Sequence, residues 1–528
     1  MSESHSFRSI PEITRTFAKT QGEKAALIAG DRSITYAELD SHSNRIAQAL
    51  IAAGVEPGDR VAFIDKNVPE YYELLFGAAK VRAATVAVNW RLTPPEMTYI
   101  LNHAKAKVLL VGKEFADHAR QLELDSAPVI LVAEGPEDGW QGFADWYAGH
   151  EATDPMLPSE WNDTCYQLYT SGTTGLPKGV ELTNRNFFGM LGSISKAWSF
   201  DAESVNLVAM PLFHIAGSGW GFAGAFNGGT NVLLRDVNPA EILKLVQKHR
   251  ITNALLVPAV FQFLLATPGI ESTDFSSLRS IVYGASPITE DVLVGIMQAT
   301  GRPVLQVYGL TETTGAITLL SYEDHDPGGP RAHLLRSAGR PIEGVEIRIV
   351  DTQTGEDRPD GEVGEIWTRS AQNLKAYFAD ANATTEAYPE GRDAEGLGWF
   401  RTGDAGYMKE GYLYIHDRVK DMIVSGGENI YPAEIENVLM DNPSIADAAV
   451  IGVPDEKWGE TVKAILVMKD ENATDDSELG AWCRERLAGY KCPTSFDRVE
   501  AIPRNPSGKI LKTELRKPYW QGRERMVN

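Results

Sequence analysis

The chain has 528 residues, 43% hydrophobic and 23% charged, which is the balance of a soluble globular protein with more than one core rather than of a disordered or fibrous chain. Fifty basic side chains against 72 acidic ones give a formal charge of −22, which argues against wrapping a nucleic-acid backbone and requires local positive groups for any anionic ligand. The three cysteines, Cys165, Cys483 and Cys492, have no CxxC spacing, so neither a zinc site nor a disulfide framework is implied.

In chain order, short strand patterns at 25–29 and 33–36 flank Gly30-Asp31-Arg32 and predict a hairpin. A helix follows, opened by a capping box of Thr35 and Glu38, carried by Leu39, Ser43, Ile46 and Leu50, and ended at Gly54. After the turn Pro57-Gly58-Asp59 the pattern repeats: strand 61–64, helix 71–81, strand 85–88, a helix from Thr93 with Glu96 three residues on, and strand 108–111. Helix 241–250 and strands 254–257, 280–283 and 304–306 continue an alternation that predicts parallel sheets covered by helices. From Val345 to Ile366 the texture changes to short strands punctuated by Gly, Asp and Pro, as in a β-rich subdomain. Strand 412–416 leads into the charged stretch Asp417 to Asp421, and the tail reads helix 433–440, strands 448–453 and 461–468, and helix 476–487, a small α+β unit.

Directly after a strand at 166–169 comes Thr170-Ser171-Gly172-Thr173-Thr174-Gly175-Leu176-Pro177-Lys178-Gly179. Glycines there let backbone N–H groups converge on an anion, the hydroxyls donate further hydrogen bonds, and Lys178 supplies charge, so the loop suits a polyphosphate. It is not a Walker P-loop, because Lys178 follows Pro177 and precedes Gly179 instead of standing in a Gly-Lys-Ser/Thr run.

This run resembles the signature of the adenylate-forming superfamily, which includes acyl-CoA synthetases, peptide-synthetase adenylation domains and luciferases. Tyr308-Gly309-Leu310-Thr311-Glu312-Thr313 resembles its second signature. The resemblance implies that Thr170, Ser171, Gly172, Thr173, Thr174 and Lys178 cradle ATP phosphates, that Tyr308 packs on adenine with Gly309 beside it at the nucleotide, that Thr311 touches phosphate, and that Glu312 helps hold Mg²⁺, for which a carboxylate is the right hard ligand. Gly284-Ala285-Ser286 resembles the lining of the adenine pocket, although a strand-end turn accounts for it nearly as well. Asp404, in Trp399-Phe400-Arg401-Thr402-Gly403-Asp404, is implied to accept the ribose hydroxyls. In the segment that follows, Arg418 would bind ribose or phosphate and Lys420 would be the pivot of a hinge, with Asp417 standing where many relatives carry glycine. Gly426 and Gly427 would border the pantetheine tunnel, and Pro503 to Ile510 resembles the loop that delivers a catalytic lysine, here Lys509. His214, before the glycine-rich run 217–229, would lie beside the acyl carboxylate, with a satisfied core histidine as the alternative. Small residues in that run would leave volume for a fatty or bulky acid, or would serve helix packing on a sheet.

The fold implied is α/β and α+β multidomain: a large N-terminal part, 1–418, of parallel-rich sheets with helices and a β-rich subdomain at 345–416; a hinge at 419–421; and a small mobile C-terminal α+β domain, 422–528. The activity implied is that of an acid–thiol ligase using ATP, Mg²⁺ and coenzyme A to make acyl-AMP and then acyl-CoA, AMP and pyrophosphate. A carrier-loading adenylation enzyme, a luciferase-like oxygenase and a non-catalytic nucleotide binder are the alternatives. The family suggests a homodimer. With no apolar run of about eighteen residues, no leader-like start and no retention tail, a cytoplasmic protein without a transmembrane segment is expected.

Overall fold

The computed structural model describes residues 7–170, 176–286, 288–425, 428–469, 474–504 and 510–521. Its contacts divide the chain into two compact units, 1–346 with 368–400, and 347–367 with 401–528.

The first unit is built on two large sheets. In the nine-stranded one the order is Arg340–Pro341, Gly315–Leu320, Val304–Leu310, Ser280–Gly284, Asn253–Leu256, Val205–Val208, Thr230–Leu233, Ala25–Ala29 and Arg32–Thr35. The inner strands run parallel, and antiparallel pairs close both edges. The eight-stranded sheet orders Ala376–Tyr377, Lys178–Thr183, Thr164–Thr170, Ala84–Ala87, Arg60–Ile64, Val108–Val111, Val129–Val132 and Gln141–Gly142, again parallel except at the edge formed by its first three strands. Both faces of this sheet are buried. Val61 and Phe63 join the core shared with the nine-stranded sheet, while Ala62 and Ile64 join a second core with Met97 and Ile100. That two-sided burial is why central strands such as Val108–Val111 are continuously apolar.

Local signals act as the sequence suggests. Thr35 Oγ1 accepts from the Glu38 N–H at 3.2 Å while Glu38 Oε2 accepts from the Thr35 N–H at 2.8 Å, so the hairpin's second strand stops at Thr35 and Tyr36 starts the helix Tyr36–Ala52. At the start of Pro94–Ala104, Glu96 Oε2 accepts from both the Thr93 N–H and its hydroxyl at 2.7 Å.

In the second unit, Phe400–Lys409 and Tyr412–Arg418 form an antiparallel pair within a four-stranded sheet completed by Glu346–Val350 and Gly364–Arg369. The remainder is a five-stranded sheet whose long hairpin, Ile445–Asp455 with Gly459–Met468, is buried on both faces: Val450 and Leu466 lie in one apolar cluster, Ala449, Ile451 and Ile465 in another. The helices Pro432–Met440 and Asp476–Arg484 contribute Ile435, Leu439, Leu479 and Cys483 to the first cluster. Among the described residues no helix is long and apolar enough to cross a membrane.

The helix Ile215–Phe226 in the first unit resolves what its glycines do. A Cβ at Gly217 would lie 2.2 Å from the Pro211 carbonyl oxygen, one at Gly221 1.8 Å from the Tyr72 hydroxyl, and one at Gly224 2.3 Å from Asn231 Oδ1. Trp220 is buried against Trp198 and Phe200 and donates from Nε1 to the Leu207 carbonyl at 3.1 Å. These positions serve close packing. Gly221→Ala is therefore expected to destabilise the protein by about 1–3 kcal/mol, the usual cost of overpacking. The same substitution in a Tyr72→Phe background, where no hydroxyl opposes the methyl, should recover most of that loss in denaturant midpoint.

Candidate active site

In the first unit the phosphate-type loop joins the antiparallel strands Thr164–Thr170 and Lys178–Thr183, and Thr170 stands opposite Lys178 in their register. Ser171, Gly172, Thr173 and Thr174 lie outside the described residues. Thr170 Oγ1 donates to Glu312 Oε1 at 3.1 Å, and the Tyr377 hydroxyl donates to the same oxygen at 3.3 Å. Lys178 Nζ sits 5.2 Å from the Tyr377 ring centroid. Thr170, Lys178 and Glu312, distant in sequence, thus gather around one tyrosine that the motifs did not single out.

Glu312 is carried by the single turn Thr311–Thr313 between the strands Val304–Leu310 and Gly315–Leu320. The register of those strands shifts between Tyr308 and Gly309, and a Cβ at Gly309 would come within 1.8 Å of the Gly315 carbonyl oxygen, so only glycine fits this crossing. Thr313 Oγ1 accepts from the Leu310 N–H at 2.9 Å and donates to the Gly315 carbonyl at 2.7 Å. A methyl on Gly315 would meet only Ile215 and Met190, at 3.9 and 4.0 Å, so an apolar wall begins one step beyond the turn.

Alongside, Gly284 pairs with Val307, and Ala285 adopts φ +68°, a left-handed conformation rarely taken by alanine. Such a backbone persists where its surroundings over-determine it and is common at ligand sites. Ser286 is half-buried. Tyr283, one residue before Gly284, shares a 2.9 Å hydrogen bond with Nε2 of the buried His325, and His325 Nδ1 lies 2.7 Å from the Ser321 carbonyl. His214 is the N-cap of Ile215–Phe226: its Nδ1 accepts from the Ala216 N–H at 3.1 Å, which satisfies one of the helix's free amides.

In the second unit Asp404 stands opposite Arg418, and Arg418 Nε meets Asp404 Oδ1 at 2.6 Å. The approach to Asp404 is fixed from behind: Thr402 Oγ1 donates to the Ile366 carbonyl at 2.7 Å, and Glu365 accepts from the Gly403 N–H, Arg401 Nε and Trp367 Nε1 at 3.2, 2.9 and 3.0 Å. Lys420 lies in the turn Val419–Asp421, and burial, with Arg418 and Arg516 nearby, pushes its pKa below the usual lysine value against the pull of Asp421. Asp421 pairs with Arg516 of the terminal helix Lys512–Arg516. Gly426, Gly427 and Lys509 lie outside the described residues. The backbone on either side of 505–509 is joined by an antiparallel bridge between Arg504 and Ile510.

Comparison with known proteins names this arrangement. Residues 14–378 match the family model for the AMP-binding enzyme, and residues 434–509 match that for the AMP-binding enzyme C-terminal domain. The chain belongs to the AMP-binding enzyme family. Within it, the chain falls in the acyl-CoA synthetase branch of the adenylate-forming superfamily. The fatty acid–[acyl-carrier-protein] ligase ScoC of Streptomyces coeruleorubidus is 39% identical over 99% of this chain and 98% of its own. The long-chain-fatty-acid–CoA ligase FadD13 of Mycobacterium tuberculosis is 37% identical over 93% of this chain and 94% of its own. ATP-bound MatB from Rhodopseudomonas palustris superposes with a TM-score of 0.85 at 29% identity, covering 97% of this chain and 99% of that one.

For an AMP-binding enzyme the chemistry of Glu312 is apt. Mg²⁺ keeps several waters and is held by one or two carboxylates together with substrate phosphates. A single carboxylate that accepts from Thr170, at the end of the strand entering the phosphate loop, fits an ion that arrives with ATP. Two residues that touch Glu312 or its turn, Tyr377 and Gln372, belong to none of the motifs. Gln372 is almost fully buried and donates from Nε2 to the carbonyls of Thr313 and Ala316 at 2.9 and 2.7 Å.

Proposed function

We propose that this enzyme activates a fatty or bulky apolar carboxylic acid with ATP and transfers the acyl group to coenzyme A. What supports the reading is the meeting of Thr170, from the strand entering the phosphate loop, with Glu312, from the second signature, at 3.1 Å. The acid class follows the two relatives whose names specify fatty acids.

In the first half-reaction a carboxylate oxygen attacks the α-phosphorus, the bond to the bridging oxygen breaks, and pyrophosphate leaves. Thr170, Ser171, Gly172, Thr173, Thr174 and Lys178 hold the leaving phosphates, Thr311 and Lys509 meet charge growing on the α-phosphate, and His214 lies by the acid carboxylate. Glu312 would hold Mg²⁺, which would supply neutralisation of phosphate charge. Tyr308, Gly309 and Gly284 to Ser286 hold adenine, while Asp404 and Arg418 hold ribose. In the second half-reaction the thiol sulfur attacks the acyl carbon, the bond to AMP breaks, and the thiol proton passes to solvent. In this reading 1–418 and 422–528 pivot at 419–421 about Lys420, so that Lys509 serves the first step and Gly426 and Gly427 border the thiol in the second. A homodimer, by family resemblance, and a cytoplasmic location complete the reading.

A second acceptor, the pantetheine thiol of a carrier protein, is favoured by the extent of identity to ScoC. AMP release across acids from acetate to long-chain and aromatic ones, with coenzyme A, with a phosphopantetheinylated carrier protein, or with neither, decides both points. Thioester formation on coenzyme A with long-chain or bulky acids is expected. Turnover only with the carrier would assign the second acceptor, and turnover only with acetate-sized acids would overturn the substrate class.

A further inference from the structure

The turn that carries Thr311 and Glu312 is an unfavourable piece of backbone. Thr314, directly after it, takes φ +55°, Gly315 takes φ +114°, and the turn itself is one short helical turn between two strands. A β-branched residue in the left-handed region costs about 1–3 kcal/mol and is retained only where neighbours hold it. The neighbour here is the segment from Gln372 to Tyr377. Both hydrogens on Gln372 Nε2 are used, one on the Thr313 carbonyl at 2.9 Å and one on the Ala316 carbonyl at 2.7 Å, so a single amide spans the strained residues. The Gln372 carbonyl accepts from Thr314 Oγ1 at 2.6 Å. The Leu374 N–H donates to the Glu312 carbonyl at 2.6 Å, and the Tyr377 hydroxyl reaches the Glu312 carboxylate. The Glu312 carboxylate and the peptide groups that follow it are therefore held by one segment.

We infer that Gln372 is a positioning residue for nucleotide binding: by clamping the carbonyls of Thr313 and Ala316 it fixes the direction in which Glu312 presents its carboxylate to the metal-bound phosphates. The inference rests on the role proposed above for Glu312. Buried glutamine serving only to satisfy backbone would stabilise the fold without touching metal dependence, and this difference is measurable.

The test is equilibrium binding of ATP without acid, so that no turnover occurs, titrated with Mg²⁺ and, separately, in EDTA, alongside thermal midpoints. Gln372→Met keeps volume and removes both donors; Thr314→Val keeps the β-branched shape and removes the bond from Thr314 Oγ1 to the Gln372 backbone carbonyl, which ties the same turn to the same segment, and serves if the first variant fails to fold. Both are expected to raise the half-saturating Mg²⁺ concentration, about tenfold for Gln372→Met as for lost outer-shell partners of a metal ligand, and to leave ATP binding in EDTA unchanged. Lower thermal midpoints with unaltered Mg²⁺ dependence would overturn the inference and reduce Gln372 to packing. Glu312→Gln, run in parallel, tests the reading beneath it: if that variant keeps full Mg²⁺ dependence, the assignment of Glu312 fails, whereas loss in Glu312→Gln without loss in Gln372→Met or Thr314→Val rejects only the positioning role.

Discussion

Lys509→Ala is expected to slow acyl-adenylate formation by about 100-fold or more, the usual cost of removing one group aimed at developing charge, while thioester formation from supplied acyl adenylate persists. The asymmetry follows from where charge grows. In the first half-reaction an anion adds to a phosphate that is already negative, and a positive point charge bridging the two gains energy as the bond forms. In the second, a thiol attacks a neutral acyl carbon and AMP departs, and the proposed pivot has withdrawn the lysine. The substitution should not disturb the fold around it. Pro503 accepts from the Leu511 N–H at 2.9 Å, Arg504 Nη2 reaches both Asp447 oxygens at 2.8 and 2.7 Å, and Lys512 Nζ meets Glu436 at 3.0 Å, so both ends of the loop are anchored without Lys509. The family match for the C-terminal domain runs to this lysine. Pyrophosphate exchange and single-turnover thioester formation measure the halves separately, and equal loss in both would remove Lys509 from the role.

Much of this architecture was legible because it depends on near neighbours. The Thr35–Glu38 and Thr93–Glu96 boxes lie three residues apart and set helix starts as read. Strands such as Val108–Val111 are apolar throughout because both faces are covered, and the alternation with helices sufficed to predict parallel sheets. Contiguous motifs were equally plain. What sequence could not show is which distant group fills a space or accepts a hydrogen bond. Gly221 reads equally as a gap for an acyl chain or as a seat for another side chain until Tyr72 is seen against it. Gln372 gives no signal at all, because its partners are backbone carbonyls 59 and 56 residues away, and every residue type has a carbonyl. Tyr377 is hidden for the complementary reason: it meets Glu312 only because the short edge strand Ala376–Tyr377 pairs with Lys178–Thr183 and brings it beside the phosphate loop.

Asp404 should behave in the opposite way to Lys509. Its buried side chain, 8% exposed, is implied to accept the ribose hydroxyls, and those hydroxyls carry the same charge before, during and after adenylation. An interaction of equal strength in ground and transition states lowers KM and leaves kcat alone. Hydrogen bonds to a charged acceptor contribute about 1.5–3 kcal/mol, so Asp404→Ala is expected to raise the KM for ATP by about 10- to 100-fold with a much smaller change in kcat. Stability should fall little. The partner Arg418 is 37% exposed, so water can solvate the guanidinium once the carboxylate is gone, and Thr402 and Glu365 continue to hold the strand from behind. Initial rates at varied ATP and saturating acid decide the matter. A fall in kcat at unchanged KM would mean that Asp404 acts on the reacting phosphate, either directly or by orienting Arg418 toward it, and the ribose assignment would pass to another residue.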